Sequence, residues 1–325
     1  VVDEEILRPF DLEHGPVTRA TLLRMGDQEH ILLIMIHHIA TDGWSRGIIR
    51  RELTALYNAH VLGQTPSLPS LPVQYADFAH WQRQWLSGEV LEQQLGYWRA
   101  RLADSSTLGL PTDRPRPPVQ SHSGASHTFR ISESLTRDLQ DLSREEEVTL
   151  ATTLLASFQA LLARYTGQSD ISVGSPVANR PRPELEKLVG FFVNSLVMRT
   201  DLSGDPAFRE ILARVNEVAL GAYEHQDVPF EQLVTELLPE RDFSRNPLFQ
   251  VMFAFQNVPV EELAFEGLTI RPIGKEITTT RVDLECFVRE DNEGLDVDLV
   301  FNTGLFDIAT IERLGANYRK LLAEV

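Results

Sequence analysis

Residues 30–43 read HILLIMIHHIATDG, an apolar run that ends in two adjacent histidines and then an aspartate and a glycine. The six consecutive apolar residues Ile31–Ile36 are typical of a short β-strand that is buried on both faces. Successive strand residues point to opposite sides of a sheet. We therefore expect His37 and His38, at the end of this strand, to face different surroundings, one presented and one inward.

A sharp loop follows the histidine pair. Asp42 can return to the base of this loop and pin it, and Gly43 permits close backbone approach or a positive φ. The alternative is that the pattern has no function and consists of two histidines at a strand end followed by an aspartate that belongs to a turn. A metal site made of His37, His38 and Asp42 is disfavoured, because adjacent histidines splay apart and histidine ligands on a helix prefer a spacing of four.

The elements on either side predict a mixed α/β fold. Val17–Arg24 pairs as a strand with His30–His37, and Trp44–Gly63 has the apolar spacing of a helix. Tyr75–Leu102 is expected to form two helices. Helices and strands then alternate irregularly, which favours mixed sheets. The further predicted strands are His127–Ile131, Asp170–Gly174, Phe191–Arg199, Leu248–Gln256, Leu268–Pro272, Val282–Arg289 and Leu295–Asn302.

The chain is long enough for two units or one large domain, at 325 residues with 42% hydrophobic residues. The best candidate for a linker is Leu110–Gly124, which is aperiodic and rich in proline. We therefore predict a first unit over residues 1–112 and a second over 113–325. The chain opens at Val1 in what reads as mid-sequence, so we expect it to be a piece of a larger polypeptide.

Charge and cysteine content exclude several classes of function. The formal net charge is −17, which makes nucleic acid and anionic membrane surfaces poor partners. Cys286 is the single cysteine, so an internal disulfide is impossible and a reducing, cytoplasmic setting is favoured. A serine hydrolase is disfavoured because Gly174-Ser175-Pro176 lacks the second glycine of a nucleophile elbow. The sequence also contains no glycine-rich phosphate loop.

His37–Gly43 matches the His-His-x-x-x-Asp-Gly signature of nonribosomal peptide synthetase condensation domains, members of the chloramphenicol acetyltransferase-like superfamily. Other stretches resemble further motifs of the same family, in the same order along essentially the whole chain. Two earlier family motifs, Ser-x-Ala-Gln-x-Arg-Leu and Arg-His-Glu-x-Leu-Arg-Thr, are absent. The matching stretches are Tyr75–Ala79, Val189–Arg199, His225–Glu231 and Arg241–Phe249.

The resemblance implies two acetyltransferase-like lobes in a V, with an incomplete N-terminal lobe here. It makes His38 the presented catalytic histidine and His37 the inward one. Asp42 is expected to pair with an arginine, for which Arg199 is the best candidate. We expect Gly190–Asn194 to approach the loop at Asp42–Ser45. The residues expected to line the substrate channel, beside Gly43 of the signature, are Trp44, Ser45, Asn194 and Arg199.

The implied reaction joins a donor acyl or peptidyl thioester to the amine of an aminoacyl acceptor. Upstream and downstream carrier proteins hold both substrates on phosphopantetheine arms, beside an adenylation domain, and the domain binds no cofactor itself. His38 acts as a base or positions the amine. The most similar subtype joins an L-donor to an L-acceptor. Epimerization of a carrier-bound residue and a non-catalytic recruitment module stay open as alternatives.

Overall fold

The computed structural model describes residues 2–238, 242–256, 264–271, 273 and 278–325. These residues form two compact units. The first comprises the described residues within Val1–Trp85, Ala178–Val193 and Pro259–Pro272. The second comprises those within Leu86–Val177, Asn194–Val258 and Ile273–Val325.

The first unit is built on a β-hairpin and its helices. The strands are antiparallel, with Leu22 opposite Leu32. A small core of Phe78, Leu185, Leu188 and Phe192 lies where the third helix meets the later segment of this unit. The elements are α1 (Val2–Leu7), β1 (Thr18–Arg24), β2 (His30–Ile36), a 3₁₀ turn (His38–Ala40), α2 (Gly43–Val61) and α3 (Tyr75–Trp85).

Strand β2 differs from the prediction in two respects. It is not buried on both faces, because Leu32 and Ile34 are 51% and 39% exposed. Within the described part of the chain, β1 is its only strand partner, and successive residues of β2 alternate between exposed and part-buried, so one face of the hairpin is open. The strand also ends at Ile36, before the histidine pair, and His38 begins the 3₁₀ turn.

The second unit is a mixed sheet with helices packed against it, which confirms the mixed α/β class. In the described residues the sheet order is β3-β8-β7-β6-β4-β5. The β7–β6 and β6–β4 pairs are parallel, and the other pairs are antiparallel. The elements are α4 (Gly88–Leu102), β3 (Gly124–Ser132), α5 (Glu133–Glu145), α6 (Leu150–Thr166), β4 (Asp170–Val177), β5 (Asn194–Asp201), α7 (Phe208–Glu224), α8 (Phe230–Leu237), β6 (Val251–Gln256), β7 (Leu284–Asp291), β8 (Gly294–Asn302) and α9 (Ile308–Glu324).

Helix α6 supplies the centre of this second core. Its sequence is apolar almost all round, as expected of a buried helix. Thr149 caps its N-terminus by accepting a hydrogen bond from the Thr152 amide at 3.1 Å. Phe158 is fully buried and packs edge-on against Tyr318 of α9. The phenol of Tyr318 donates a hydrogen bond to the Leu154 carbonyl at 2.8 Å, which satisfies its buried polar end.

Three of the differences from the sequence expectations concern how the chain is divided between the two units and their strands. β5 begins at Asn194 rather than Phe191, because the residues before it belong to the first unit. Residues 268–271 form no strand, and Pro272 of that predicted strand lies outside the described residues. The compact units divide after Trp85, because α4 packs into the second core through Trp98. The lobe boundary at residues 112 and 113 stays a prediction.

In the described part of the chain, no helix is long and apolar enough to cross a bilayer.

Candidate functional site

His37 is the inward histidine. Its Nδ1 accepts a hydrogen bond from the backbone N–H of Ile39 at 3.1 Å and so caps the 3₁₀ turn. Its own backbone N–H donates to the Val17 carbonyl at 2.9 Å, which ties the turn to the start of β1. The ring meets Phe10 edge-on, with centroids 5.7 Å apart. Nδ1 therefore carries the lone pair and Nε2 the proton in this arrangement.

His38 is the presented histidine. Its side chain is exposed, and no side chain or backbone group among the described residues hydrogen-bonds to its ring. The ring lies edge-on to Phe191, with centroids 5.1 Å apart and an interplanar angle of 89°. Both nitrogens of His38 are therefore available to a substrate. The division into one inward and one presented histidine, expected from strand alternation, is produced here by the 3₁₀ turn.

Asp42 pins the loop, as the sequence predicted. Its Oδ1 caps α2 by accepting from the Ser45 amide at 2.7 Å. Its Oδ2 accepts from the Phe192 amide at 3.1 Å. The carboxylate also pairs with Arg180, whose NH2 lies 3.2 Å from both oxygens, and each side chain of this pair is only 2% exposed.

The partner of Asp42 is Arg180, so the expectation that Arg199 fills this role is wrong. Arg180 also donates to the carbonyls of Leu185 and Leu188, the latter at 2.8 Å, and its guanidinium lies 4.0 Å from the centroid of the Phe192 ring. Burial lowers the pKa of Arg180 and Asp42 opposes that change. An arginine stays charged at neutral pH even so, and the pair is a buried ion pair.

Ser45 fastens the later segment of the first unit to the start of α2. Its Oγ donates to the Gly190 carbonyl at 2.9 Å and accepts from the Gly190 amide at 3.1 Å. A Cβ at position 190 would lie 2.3 Å from Cδ2 of Tyr75, so only glycine fits there. Together with the Asp42–Phe192 hydrogen bond, these contacts confirm that Gly190 and Phe192 approach Asp42–Ser45.

Trp44 and Gly43 have different local roles. The Trp44 indole N–H donates to the Glu186 carbonyl at 2.8 Å, so its polar end is used within the unit. Gly43 is the first residue of α2, and its φ lies outside the left-handed region. A Cβ there would meet only the Arg46 guanidinium, at 3.7 Å. The packing of this unit therefore does not require a glycine at position 43. Neither a positive φ nor close approach of another part of the backbone explains the glycine there.

Asn194 and Arg199 make structural contacts within the second unit. The Asn194 amide donates to the carbonyls of Gln226 and Val228, at 2.8 and 2.7 Å, and its Oδ1 accepts from the Phe230 amide at 3.0 Å. Arg199 pairs with Asp170 through two hydrogen bonds of 2.8 and 2.9 Å. It also donates to the carbonyls at the end of α4, Arg101 at 3.0 Å and Ala103 at 2.6 Å. A place for either residue in a substrate channel stays a prediction.

The remaining motifs are held by local contacts of the second unit. His225 donates from Nδ1 to the Gly221 carbonyl at 2.8 Å, and its ring stacks on Tyr97 with centroids 4.0 Å apart. Asp242 accepts from the amide and hydroxyl of Ser244 at 2.8 and 2.6 Å. Arg241 of the Arg241–Phe249 motif lies outside the described residues. These contacts agree with a structural role for both loops.

The family model for the condensation domain matches residues 1–325, the whole chain. The chain belongs to the condensation-domain family. Its sequence is 54% identical to one of the linear gramicidin synthase proteins of Brevibacillus parabrevis over 325 residues, which is 99% of this chain and 4% of that relative. This condensation domain is therefore of the kind found in nonribosomal peptide synthetases, and it spans only a small part of the length of such relatives.

Solved structures agree with this assignment. The condensation domain resembles an X-domain from teicoplanin biosynthesis, solved in complex with OxyB, with 29% identity and a TM-score of 0.88 over 98% of this chain and 72% of that one. It also resembles part of a four-domain nonribosomal peptide synthetase bound to AMP and glycine. There the identity is 26% and the TM-score 0.83, over 99% of this chain and 25% of that one.

Two features of the site escaped the sequence reasoning. Arg180 was missed because it follows β4 and meets Asp42 across 138 positions of the chain. The signal that could have found it is an arginine directly after a buried strand, which needs a carboxylate partner if it is buried. The contact of Phe191 with His38 was not predicted, because Phe191 was expected to begin a strand that runs to Arg199.

Proposed function

We propose that this condensation domain joins a donor acyl or peptidyl thioester to the amine of an aminoacyl acceptor. The observation that carries the proposal is the His38 imidazole. It is exposed, it has no hydrogen-bond partner among the described residues, and it stands next to a backbone segment locked by Asp42 and Ser45. A ring held in this way can receive a hydrogen bond from a substrate amine. Membership of the condensation-domain family supports amide formation as the reaction.

The reaction places its main demand on proton transfer during attack. A free α-amine has a pKa of about 7.7–8.0, so much of it is already neutral near pH 7. When its nitrogen attacks the thioester carbon, the nitrogen becomes cationic and the carbonyl oxygen anionic. The His38 imidazole takes the nitrogen's proton or orients the amine by accepting its hydrogen bond. The attack forms the C–N bond; the oxyanion then collapses, the C–S bond breaks, and the departing thiolate receives the proton that the nitrogen lost.

The substrates arrive on phosphopantetheine arms of two carrier proteins, one upstream and one downstream. An adjacent adenylation domain loads the acceptor carrier, and the whole assembly works in the cytoplasm. The thioester is already activated, so the condensation domain needs no cofactor of its own. A solved four-domain synthetase of similar fold supports this multidomain setting. The motifs at His225–Glu231 and Arg241–Phe249 favour condensation over epimerization. The sequence runs Gly221–Glu231 and Arg241–Asn257 resemble those of domains that join an L-donor to an L-acceptor.

The test is His38→Ala in the intact synthetase, with amide formation between loaded carriers followed by mass spectrometry. We expect the rate to fall by roughly 100-fold or more, because a positioned acid–base group contributes 10²–10⁴. The matched control is His60→Ala, which removes another exposed histidine, in the last turn of α2. An unchanged rate in His38→Ala would refute the role.

A second candidate function is recruitment of another protein without catalysis. The observation that favours it is the likeness to an X-domain solved in complex with OxyB. The intact pair His37 and His38 with Asp42 favours catalysis instead. Mass spectrometry of the same carrier mixture separates the possibilities. A joined product indicates condensation, an inverted stereocentre indicates epimerization, and binding with no product indicates recruitment.

A further inference from the structure

The backbone of Gly190–Phe192 is fixed at every residue. Ser45 holds both polar groups of Gly190, and Asp42 accepts from the Phe192 amide. The Tyr75 hydroxyl donates to the Phe191 carbonyl at 2.8 Å. This segment therefore has little freedom to turn, and the direction of each side chain is decided by the backbone.

The side chains of Phe191 and Phe192 have opposite surroundings. Phe192 is 3% exposed and packs in the small core of the first unit. Phe191 is 37% exposed and is not a member of that core. A large apolar side chain that stays exposed on a fixed backbone is not held there by packing in the core. Its aromatic neighbour in the described part of the chain is the His38 ring.

We infer that Phe191 is a positioning residue for His38. The His38 ring has no hydrogen bond from the described residues to set its rotation, so the edge-to-face contact at 5.1 Å and 89° is what holds its plane. Aromatic pairs prefer this T-shaped geometry, in which the positive edge of one ring meets the negative face of the other. Phe191 also places an apolar ring directly beside the imidazole.

The chain of contacts explains why the loop is locked so firmly. Asp42 and Ser45 fix the backbone of residues 190–192, that backbone aims Phe191, and Phe191 orients His38. A shift of the segment would therefore turn the imidazole even though no contact of His38 itself had been changed. This inference rests on the proposed function, because positioning matters to the rate only if His38 meets the substrate amine.

The test compares Phe191→Ala, Phe191→Leu and Phe191→Tyr in the intact synthetase. We expect Phe191→Ala to lower kcat about three- to tenfold, the effect of losing one aromatic pair, with little change in KM. Phe191→Leu restores bulk without an aromatic face and stays slow, whereas Phe191→Tyr keeps the ring and the rate. The matched control is Val189→Ala, which shortens a 38% exposed side chain of the same segment and should leave kcat unchanged.

Two further measurements separate positioning from general damage. In a His38→Ala background, Phe191→Ala should cost nothing more, because Phe191 acts through the imidazole. The orientation of the His38 ring, read from nuclear Overhauser effects between its ring protons and neighbouring residues, should change in Phe191→Leu but not in Val189→Ala. An unchanged orientation of the His38 ring, or an equal loss of rate in both backgrounds, would overturn the inference. If His38→Ala alone keeps the wild-type rate, the proposed function fails, and the NMR comparison still decides whether Phe191 orients the ring.

Discussion

Replacing Asp42 by alanine tests whether this carboxylate holds the first unit together. The side chain is 2% exposed, and it accepts from the amides of Ser45 and Phe192 while pairing with Arg180. Alanine removes all three interactions at once. Because Arg180 is equally buried, it would be left as a charge without a counter-ion in a place that water reaches poorly.

The expected loss of unfolding free energy follows from these contacts. Breaking a buried ion pair by removing one partner costs about 3–5 kcal/mol. Losing an N-cap alone costs about 1 kcal/mol. Ser132→Ala is a suitable control, because Ser132 caps α5 by accepting from the Leu135 amide and has no ionic partner. Asp42→Ala should therefore be several times more destabilising than Ser132→Ala.

The assay is equilibrium unfolding in urea, followed by circular dichroism, for both variants and the wild-type chain. Arg180→Met and the double variant complete a cycle in which the two losses should overlap by about 2 kcal/mol, as expected for residues in direct contact. If Asp42→Ala is no more destabilising than Ser132→Ala, or if the losses at positions 42 and 180 simply add, the ion pair does not hold this unit.

Three further outcomes are expected. His37→Asn should be about 1 kcal/mol more stable than His37→Gln in urea unfolding. The Oδ1 of asparagine stands where Nδ1 of His37 accepts the Ile39 hydrogen bond, whereas the acceptor oxygen of glutamine lies one carbon further out. Equal stabilities would contradict the capping role. Gly43→Leu should block condensation while Gly47→Leu does not. A Cβ at either position meets only an arginine head at 3.7 Å, but position 43 belongs to the signature beside the proposed substrate channel, whereas position 47 lies one turn further along α2. Turnover at the wild-type rate in Gly43→Leu would refute this. Burial alone would raise the pKa of Asp170, but the hydrogen bonds and charge of Arg199 outweigh it and hold that pKa below its ordinary value. The Asp170–Arg199 pair therefore stabilises the folded chain fully above about pH 4. This stabilisation is lost as the pH falls through the lower pKa that Asp170 has in the folded state. Arg199→Met should remove that part of the pH dependence of the free energy of unfolding.

The sequence allowed the local parts of the site to be predicted. An apolar run, two histidines and an aspartate within a few positions are enough to indicate one inward ring, one presented ring and a pinned loop. The partners of that loop could not be predicted, because they depend on contacts between distant positions. Arg199 was expected to pair with Asp42. Its guanidinium instead pairs with Asp170, which lies on the neighbouring strand β4.

Strand β2 illustrates a different limit of the sequence. Six consecutive apolar residues indicate burial on both faces, but a pattern reports what a strand can bury and not what is present to cover it. Leu32 and Ile34 are exposed because they lie on the face of the hairpin that no described part of the chain covers. The class of the element was therefore predictable, whereas its surroundings were not.

The Asp42–Phe192 hydrogen bond joins residues 150 positions apart, and this has a consequence for synthesis on the ribosome. The loop that carries His38 leaves the ribosome long before the segment that locks it. At about 5–20 residues per second, the interval is roughly 8–30 s. Throughout that time Arg180, Gly190 and Phe192 do not yet exist to meet Asp42 and Ser45. A nascent chain therefore carries its histidine pair for many seconds before the segment that locks the loop exists, and a chain that stalls within this interval holds the signature without those contacts.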